Sequence, residues 1–131
     1  MNKKWVVENS ESLLDTRWVK VRKDTVNLPN GTHIDDFYAI TINDASAIVA
    51  LDEDQNIILK KEYRYCYEKE LLEIPAGTFD ENETDSLVVA KRELLEETGY
   101  STNDWTYIGD TIESSSKLTN NMHIYFANNC K

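Results

Sequence analysis

The sequence has little of three residue types that mark particular protein classes: four glycines, two prolines and two cysteines among 131 residues. The cysteines, Cys66 and Cys130, have no spacing typical of a metal site, so we expect reduced thiols and a cytoplasmic location. No segment is of low complexity, which argues against a disordered linker or an internal repeat. This length predicts one globular assembly with a real core rather than two large domains.

Long apolar runs and excess positive charge are also missing. No run approaches the roughly 20 residues that a membrane helix needs, and the residues after Met1 lack the apolar segment of a secretory leader. Lysine and arginine number 14 against 24 acidic residues, a net charge of −10. We therefore expect neither a nucleic-acid partner nor a membrane. A small phosphate-bearing substrate stays open, because a divalent metal ion reverses the local charge of a carboxylate site.

Strand patterns dominate what the sequence does contain. The Asn30-Gly31 pair is a strong hairpin signal, and β-forming residues such as Trp18, Val19 and Val21 precede it. About the first 40 residues are therefore expected to form a small antiparallel sheet. An acidic loop is expected at 77–85. The predicted strands are 4–8, 17–23, 33–41, 45–51, 56–63, 71–74, 105–112 and 122–127.

One helix is predicted, at 86–98. Asp85 or Ser86 is a suitable N-cap, and Gly99 fits the left-handed position just past the helix end. Leu87, Ala90 and Leu94 are spaced by three and four residues, which predicts one stripe facing the core.

Three glutamates on this helix, Glu93, Glu96 and Glu97, share a neighbouring face. Carboxylates packed so closely repel one another, and a hard cation such as Mg²⁺, which takes oxygen ligands, would offset the repulsion. Arg92 could pair with one of them or with a phosphate. From periodicity alone, a solvated acidic helix face remains the alternative.

The residues around this helix resemble a known motif. Residues 92–100 match the Nudix box core, R-E-U-x-E-E-x-G-U, at every fixed position, and Gly77 with Glu83 supplies its opening, G-x5-E. The chain thus resembles the Nudix hydrolases over residues 77–100, with weaker similarity from Trp18 to Phe126. One residue more than in the family separates Glu83 from Arg92. The insertion is expected in the loop before the helix, and Glu83 is left out of the predicted site.

The resemblance implies an α+β fold, the Nudix α/β/α sandwich with a mixed sheet, preceded by an N-terminal antiparallel sheet. Residues 1–42 would form that N-terminal sheet and 43–131 the Nudix core. The C-terminal part of the family fold is missing from these 131 residues, so we expect either a fragment or a naturally short form. That part often carries the catalytic base. The implied catalytic residues are Arg92, Glu93, Glu96 and Glu97. The implied ligands of Mg²⁺, or of Mn²⁺ as an alternative, are the three glutamates and the backbone carbonyl of Ala76.

The resemblance also narrows the substrate. Residues 72–77, Leu-Glu-Ile-Pro-Ala-Gly, are similar to the L-E-[LF]-P-A-G lead-in of ADP-ribose pyrophosphatases, and residues 62–65 resemble their Q-[YF]-R segment. This implies a nucleoside diphosphate sugar, above all ADP-ribose cleaved to AMP and ribose 5-phosphate, and a homodimer. The implied substrate contacts are Trp18, Phe37, Arg64 and Glu73.

For the proposed substrate contacts, purely structural roles stay open. Trp18 could be a half-buried strand aromatic, Arg64 a surface arginine, and Glu73 the partner of a neighbour. His33 and His123 are interpreted as isolated and outside the mechanism. A non-catalytic nucleotide-binding module is the main alternative function. A nucleoside triphosphate pyrophosphohydrolase is disfavoured by the Pro-Ala-Gly sequence at 75–77.

Overall fold

The computed structural model describes residues 4–131, which form two compact units. One unit contains the N-terminal residues up to Asn43 together with Ile112–Asn120, and the other contains Asp44–Thr111 and Asn121–Lys131. The boundary at Asn43 lies next to the one expected from the sequence, but the segment 112–120 clusters with the N-terminal unit. The assignment of 1–42 and 43–131 as domains stays a prediction.

The N-terminal unit is the expected antiparallel sheet, in the order β1-β2-β3. Gly31, with φ of 87°, closes the predicted hairpin turn between β2 and β3. The first two strands are longer than predicted, because every residue of β1 is exposed and such a strand has no alternation to detect. The strands are β1 (Val6–Asp15), β2 (Val19–Asn27) and β3 (His33–Ile42).

Part of the 112–120 segment lies along the outer edge of β3. The N–H of Ile40 donates to the carbonyl of Lys117 at 2.8 Å, and the N–H of Thr119 donates to the carbonyl of Ile40 at 3.1 Å. Leu118 forms a parallel bridge with Ile40. The segment therefore covers the C-terminal end of that edge, at Ile40.

The core unit holds a mixed sheet in the order β7-β4-β9-β8, in which β4 and β9 run parallel, and a separate β5-β6 hairpin. With the α-helix that follows β7, this confirms the α+β fold and its mixed sheet. The elements are β4 (Ala45–Asp52), β5 (Lys60–Arg64), β6 (Lys69–Glu73), β7 (Ala76–Thr78), α1 (Ser86–Thr98), β8 (Asp104–Thr111) and β9 (Met122–Cys130).

The helix prediction is confirmed at both ends. The Asp85 side chain accepts from the N–H of Leu87 at 2.9 Å, and Gly99 takes the left-handed conformation with φ of 77°. Ala90 and Leu94 are fully buried, as predicted, whereas Leu87 packs partly buried against the same cluster. The sheet side of that cluster is formed by Ile48, Ala50, Tyr125 and Ala127.

One strand was not predicted. Ala76–Thr78 pairs antiparallel with the start of β4, inside the stretch that the sequence assigns mostly to a loop. This strand places Gly77 beside α1. None of the helices in the described part of the chain is long and apolar enough to cross a membrane. Cys66 is exposed and Cys130 buried, and both are free thiols.

Candidate active site

A close approach of β7 to α1 is the centre of the site. The carboxyl group of Glu93, only 8% exposed, occupies the space in which a Cβ at Gly77 would lie. Any side chain at that position would overlap the carboxylate. Glycine is therefore required here for space rather than for an unusual backbone conformation.

Arg92 binds three carboxylates at once. Its Nε and Nη2 donate to the two oxygens of Glu83 at 2.8 and 2.7 Å. Its Nη1 donates to Glu93 at 2.6 Å and to Glu96 at 3.2 Å, and Nη2 also donates to the carbonyl of Thr78 at 3.1 Å. The planar fork of the guanidinium explains how one residue fixes so many groups. We call Arg92 with Glu83, Glu93 and Glu96 the Arg92 cluster.

Within the Arg92 cluster, the pKa values of two carboxyl groups are shifted in opposite directions. Hydrogen bonds from Arg92 and from the N–H of Asp80 lower the pKa of Glu83 to about 2. Burial raises the pKa of Glu93, and its bond to Arg92 offsets this only in part. Glu93 is therefore the group in this cluster with most to gain from a further positive charge.

Lys60 of β5 forms a second cluster, with Glu62 and Glu97. Its side chain is 8% exposed, and its ammonium donates to both carboxylates. Burial lowers the pKa of Lys60, but the bonds to the two glutamates outweigh burial and raise it. The other oxygen of Glu97 accepts from the N–H of Ala76 at 3.0 Å. Glu97 therefore joins α1 both to the hairpin and to β7.

Arg64 is bound to Glu73 on the same hairpin. Its Nε donates to both oxygens of Glu73 at 3.0–3.1 Å, and its Nη2 donates to one of them at 2.5 Å. Its Nη1 reaches Glu62 at 3.2 Å. The expectation that Glu73 pairs with a neighbour is thus met, and Arg64 faces this carboxylate network rather than being a free surface arginine.

The predicted metal ligands fit a divalent cation by their donor chemistry. Across the two clusters and Arg64, six glutamates face three cationic side chains, which leaves three negative charges in excess. Yet among residues 4–131 no three acidic, histidine or cysteine side chains are arranged to hold a metal ion. Instead Arg92 binds Glu93 and Glu96, and Lys60 binds Glu97. A metal ion at these glutamates would compete with the positive charges of Arg92 and Lys60.

The two aromatic candidates belong to the N-terminal unit. Trp18 is 62% exposed, and the guanidinium carbon of Arg17 lies 4.2 Å from its ring centroid. Phe37 meets the edge of Trp5 at 5.5 Å and the ammonium of Lys117 at 5.0 Å. Trp18 is thus an exposed platform rather than a half-buried aromatic, while Phe37 is already packed.

Sequence reasoning missed three residues and misjudged two. Glu83 reaches Arg92 because the extra loop residue does not disturb the contact. Lys60 and Glu62 could have been noticed, since one face of β5 is entirely charged. The isolation expected for the two histidines is wrong: His33 Nδ1 lies 2.8 Å from Asn27 Oδ1, and strand pairing places His123 Nδ1 2.5 Å from the carboxylate of Asp110.

Comparison with known proteins identifies the family. Residues 5–40 match the model described as nucleoside diphosphate sugar hydrolase N-terminal domain, and residues 41–130 match the NUDIX domain. A crystal structure described as ADP compounds hydrolase superposes with a TM-score of 0.79 and 26% identity, covering 98% of this chain and 69% of that one.

Two relatives show how far the similarity extends. The methanol dehydrogenase activator of Bacillus methanolicus is 33% identical over 90% of this chain and 63% of its own length. The ADP-ribose pyrophosphatase of Mycobacterium tuberculosis is 30% identical over 91% of this chain and 57% of its own length. The chain thus spans about three fifths of the length of these curated relatives. Because the NUDIX model covers most of the chain and the box residues meet in space, the chain belongs to the Nudix hydrolase family.

Proposed function

We propose that this chain catalyses the hydrolysis of the pyrophosphate bond of a nucleoside diphosphate sugar, with ADP-ribose as the substrate and AMP and ribose 5-phosphate as products. The supporting observation is the approach of Glu93 to Gly77, with Arg92 and Glu97 on either side. It brings the glutamates of the Nudix box beside the Pro-Ala-Gly segment that resembles ADP-ribose pyrophosphatases. The relative from M. tuberculosis carries that name, and the N-terminal model is that of nucleoside diphosphate sugar hydrolases.

The residues would divide the work as follows. Glu93, Glu96, Glu97 and the Ala76 carbonyl would hold Mg²⁺, or Mn²⁺ in its place. Such an ion would supply positive charge against the pyrophosphate oxygens and an activated water for hydrolysis. Arg92 orients Glu93 and Glu96.

The remaining proposed substrate contacts are residues other than the three glutamates that would hold the metal ion. Arg64 would offer its guanidinium to a phosphate, and Glu73 keeps that guanidinium in place. Trp18 would stack on the adenine through the ring face that Arg17 leaves free, with Phe37 as a second aromatic contact.

A non-catalytic nucleotide-binding module is the second candidate. One observation favours it: the three predicted ligands are engaged by protein cations, and no acidic group in the described residues is arranged for a metal. The charge excess of the site favours the enzyme instead, because a pure binding site for an anionic ligand would gain from net positive charge.

The deciding experiment is hydrolysis of ADP-ribose with and without Mg²⁺, with AMP and ribose 5-phosphate followed by chromatography. ADP-glucose and dGTP are run beside it. Metal-dependent AMP from ADP-ribose supports the proposal. Binding of ADP-ribose without any product supports the module, and preferential release of pyrophosphate from dGTP contradicts the choice of substrate.

We further propose a homodimer formed through the N-terminal sheet, in the cytoplasm. β1 exposes Val6, Val7, Leu13 and Leu14, each by 45% or more, which is unfavourable for a monomer. Light scattering at micromolar concentration should give twice the chain mass. A monomer at that concentration would contradict the dimer and leave the catalytic proposal untouched.

A further inference from the structure

We propose that Lys60 is a resident cation that holds Glu97 until a divalent metal ion displaces it, and that Lys60 thereby sets how tightly the chain binds the metal. The inference rests on the proposed function, in which Glu97 is a metal ligand. It assigns a role to a residue that lies outside the Nudix box and outside the substrate-contact segments.

The contacts of Lys60 place its positive charge directly beside Glu97, a predicted metal ligand. Its ammonium is nearly buried and, in the described part of the chain, bonds to two carboxylates, Glu62 and Glu97. The second oxygen of Glu97 is bound to the N–H of Ala76. Each oxygen of Glu97 therefore has one partner, and a metal ion that binds the oxygen held by Lys60 meets the positive charge of the ammonium.

Breaking the bond to Lys60 is the less costly of the two exchanges. Displacing the Ala76 N–H would leave a backbone donor without a partner. Lys60 has a second carboxylate at hand, because Glu62 lies two residues along the same face of β5. The ammonium stays paired when it leaves Glu97, and no buried charge is stranded.

The contrast with Arg92 supports this assignment. Arg92 makes five hydrogen bonds through a rigid fork, to Glu83, Glu93, Glu96 and the Thr78 carbonyl. Lys60 is a compact charge on a flexible stem with two bonds. Of the two cations that bind the predicted metal ligands, Lys60 is therefore the one that is displaced more easily.

The adjacent lysine supplies a matched control. Lys61 lies on the opposite, exposed face of β5, paired with Leu72 of β6, and none of the ion pairs found among residues 4–131 involves it. Lys60→Met and Lys61→Met each remove one positive charge from neighbouring positions. Only the first removes the charge that touches Glu97.

The test is titration of the full 131-residue chain with MnCl₂, in which free Mn²⁺ is measured by electron paramagnetic resonance. Because Lys60 both repels the ion and occupies its ligand, Lys60→Met should tighten Mn²⁺ binding by roughly tenfold or more. Lys61→Met should stay within about twofold of the unaltered chain. Lys60→Arg, which retains the charge, should show no tightening.

The outcomes separate this inference from the proposed function. Unchanged or weaker Mn²⁺ binding by Lys60→Met overturns the role of Lys60, since a merely structural lysine would lose affinity when removed. If Lys60→Met fails to fold, Lys60→Gln, which keeps hydrogen-bond donors, must show the tightening instead. Absence of Mn²⁺ binding in the unaltered chain and in every Lys60 variant would overturn the metal site itself, and with it the proposed function.

Discussion

The two units of the chain differ in the size of their buried apolar cores and in how their charges are arranged. The core unit buries several apolar residues completely, such as Ile48 and Leu94, while it exposes others, such as Tyr65, and it pairs many of its charges in dense clusters. The N-terminal unit exposes large apolar side chains, including Trp18, and within the described residues its buried hydrophobics are Val26 and Ala39. A unit with a buried core and clustered charges is suited to chemistry, and an exposed apolar surface on a unit with little core is suited to recognition.

This contrast predicts a division of kinetic roles. Changes in the core unit should lower kcat, because they alter groups at the reacting bond. Changes in the N-terminal unit should raise KM and leave kcat alone, because they remove binding that is equal in the ground and transition states. Variants of either unit that change kcat and KM together would contradict this division of roles.

The largest effect is expected for Glu97→Gln. Loss of one metal-binding charge should lower kcat for ADP-ribose by roughly a hundredfold or more, without unfolding the chain, since no core packing is removed. Steady-state kinetics and thermal melts followed by circular dichroism measure the two quantities. Glu70→Gln, on an exposed position of β6, is the control and should retain full activity. Near-normal turnover of Glu97→Gln would contradict the assignment of Glu97 as a metal ligand.

A smaller loss is expected for Gly77→Ala. The added Cβ overlaps the Glu93 carboxylate, so Glu93 must shift away from β7. We expect kcat to fall about tenfold and stability to fall by about 1–3 kcal/mol, as for overpacked interiors. Gly109→Ala is the control: its φ of 149° makes it strained, but a Cβ there meets nothing. It should lose stability and retain kcat, and equal kcat losses in both variants would argue against the close approach.

Trp18→Ala tests the N-terminal unit. If the exposed ring stacks on the base, KM for ADP-ribose should rise roughly tenfold with kcat unchanged. Trp18→Phe keeps an aromatic face and should recover most of the affinity. A fall in kcat without a change in KM would contradict the division of roles between the units.

The smallest effect is expected for Glu83→Gln, and it depends on pH. The folded-state pKa of Glu83, about 2, lies below the ordinary value of 4.5, so its stabilisation is fully present above pH 4.5 and is lost as the pH falls toward 2. At pH 7 the variant should be less stable by about 1–2 kcal/mol. Urea unfolding at pH 7 and below pH 4.5 should show that difference shrinking. A constant difference across this range would mean that the bond to Arg92 is not the cause.

What the sequence predicted well depends on local rules. The helix ends follow from the side chain of Asp85 and from the left-handed conformation of Gly99, and each acts on its own neighbours. The hairpin at Asn30-Gly31 is equally local. The glutamate face of α1 follows from helical spacing alone, and the motif places it beside Gly77.

What the sequence did not predict depends on contacts between distant positions. β7 is a strand because β4 pairs with it, as Ala47 opposite Ala76 shows. Lys60 and Glu97 are 37 residues apart, and Asp110 and His123 meet through strand register. The pattern of charges on β5 indicates a charged face, but not which carboxylates will meet it.

The segment that pairs with Ile40 affects how copies of this chain can associate. Open sheets polymerise when both edges accept a further strand. In the N-terminal sheet the edge at β3 is occupied near its C-terminal end, at Ile40, by the segment around Lys117–Thr119, and β1 is the other edge, exposed along its whole length. Two chains that join through β1 use both of their β1 edges, and further growth of this sheet would have to proceed through β3. The short segment against Ile40 blocks one end of that edge, so it shortens the stretch of β3 that a further strand can pair with and disfavours growth into a fibre.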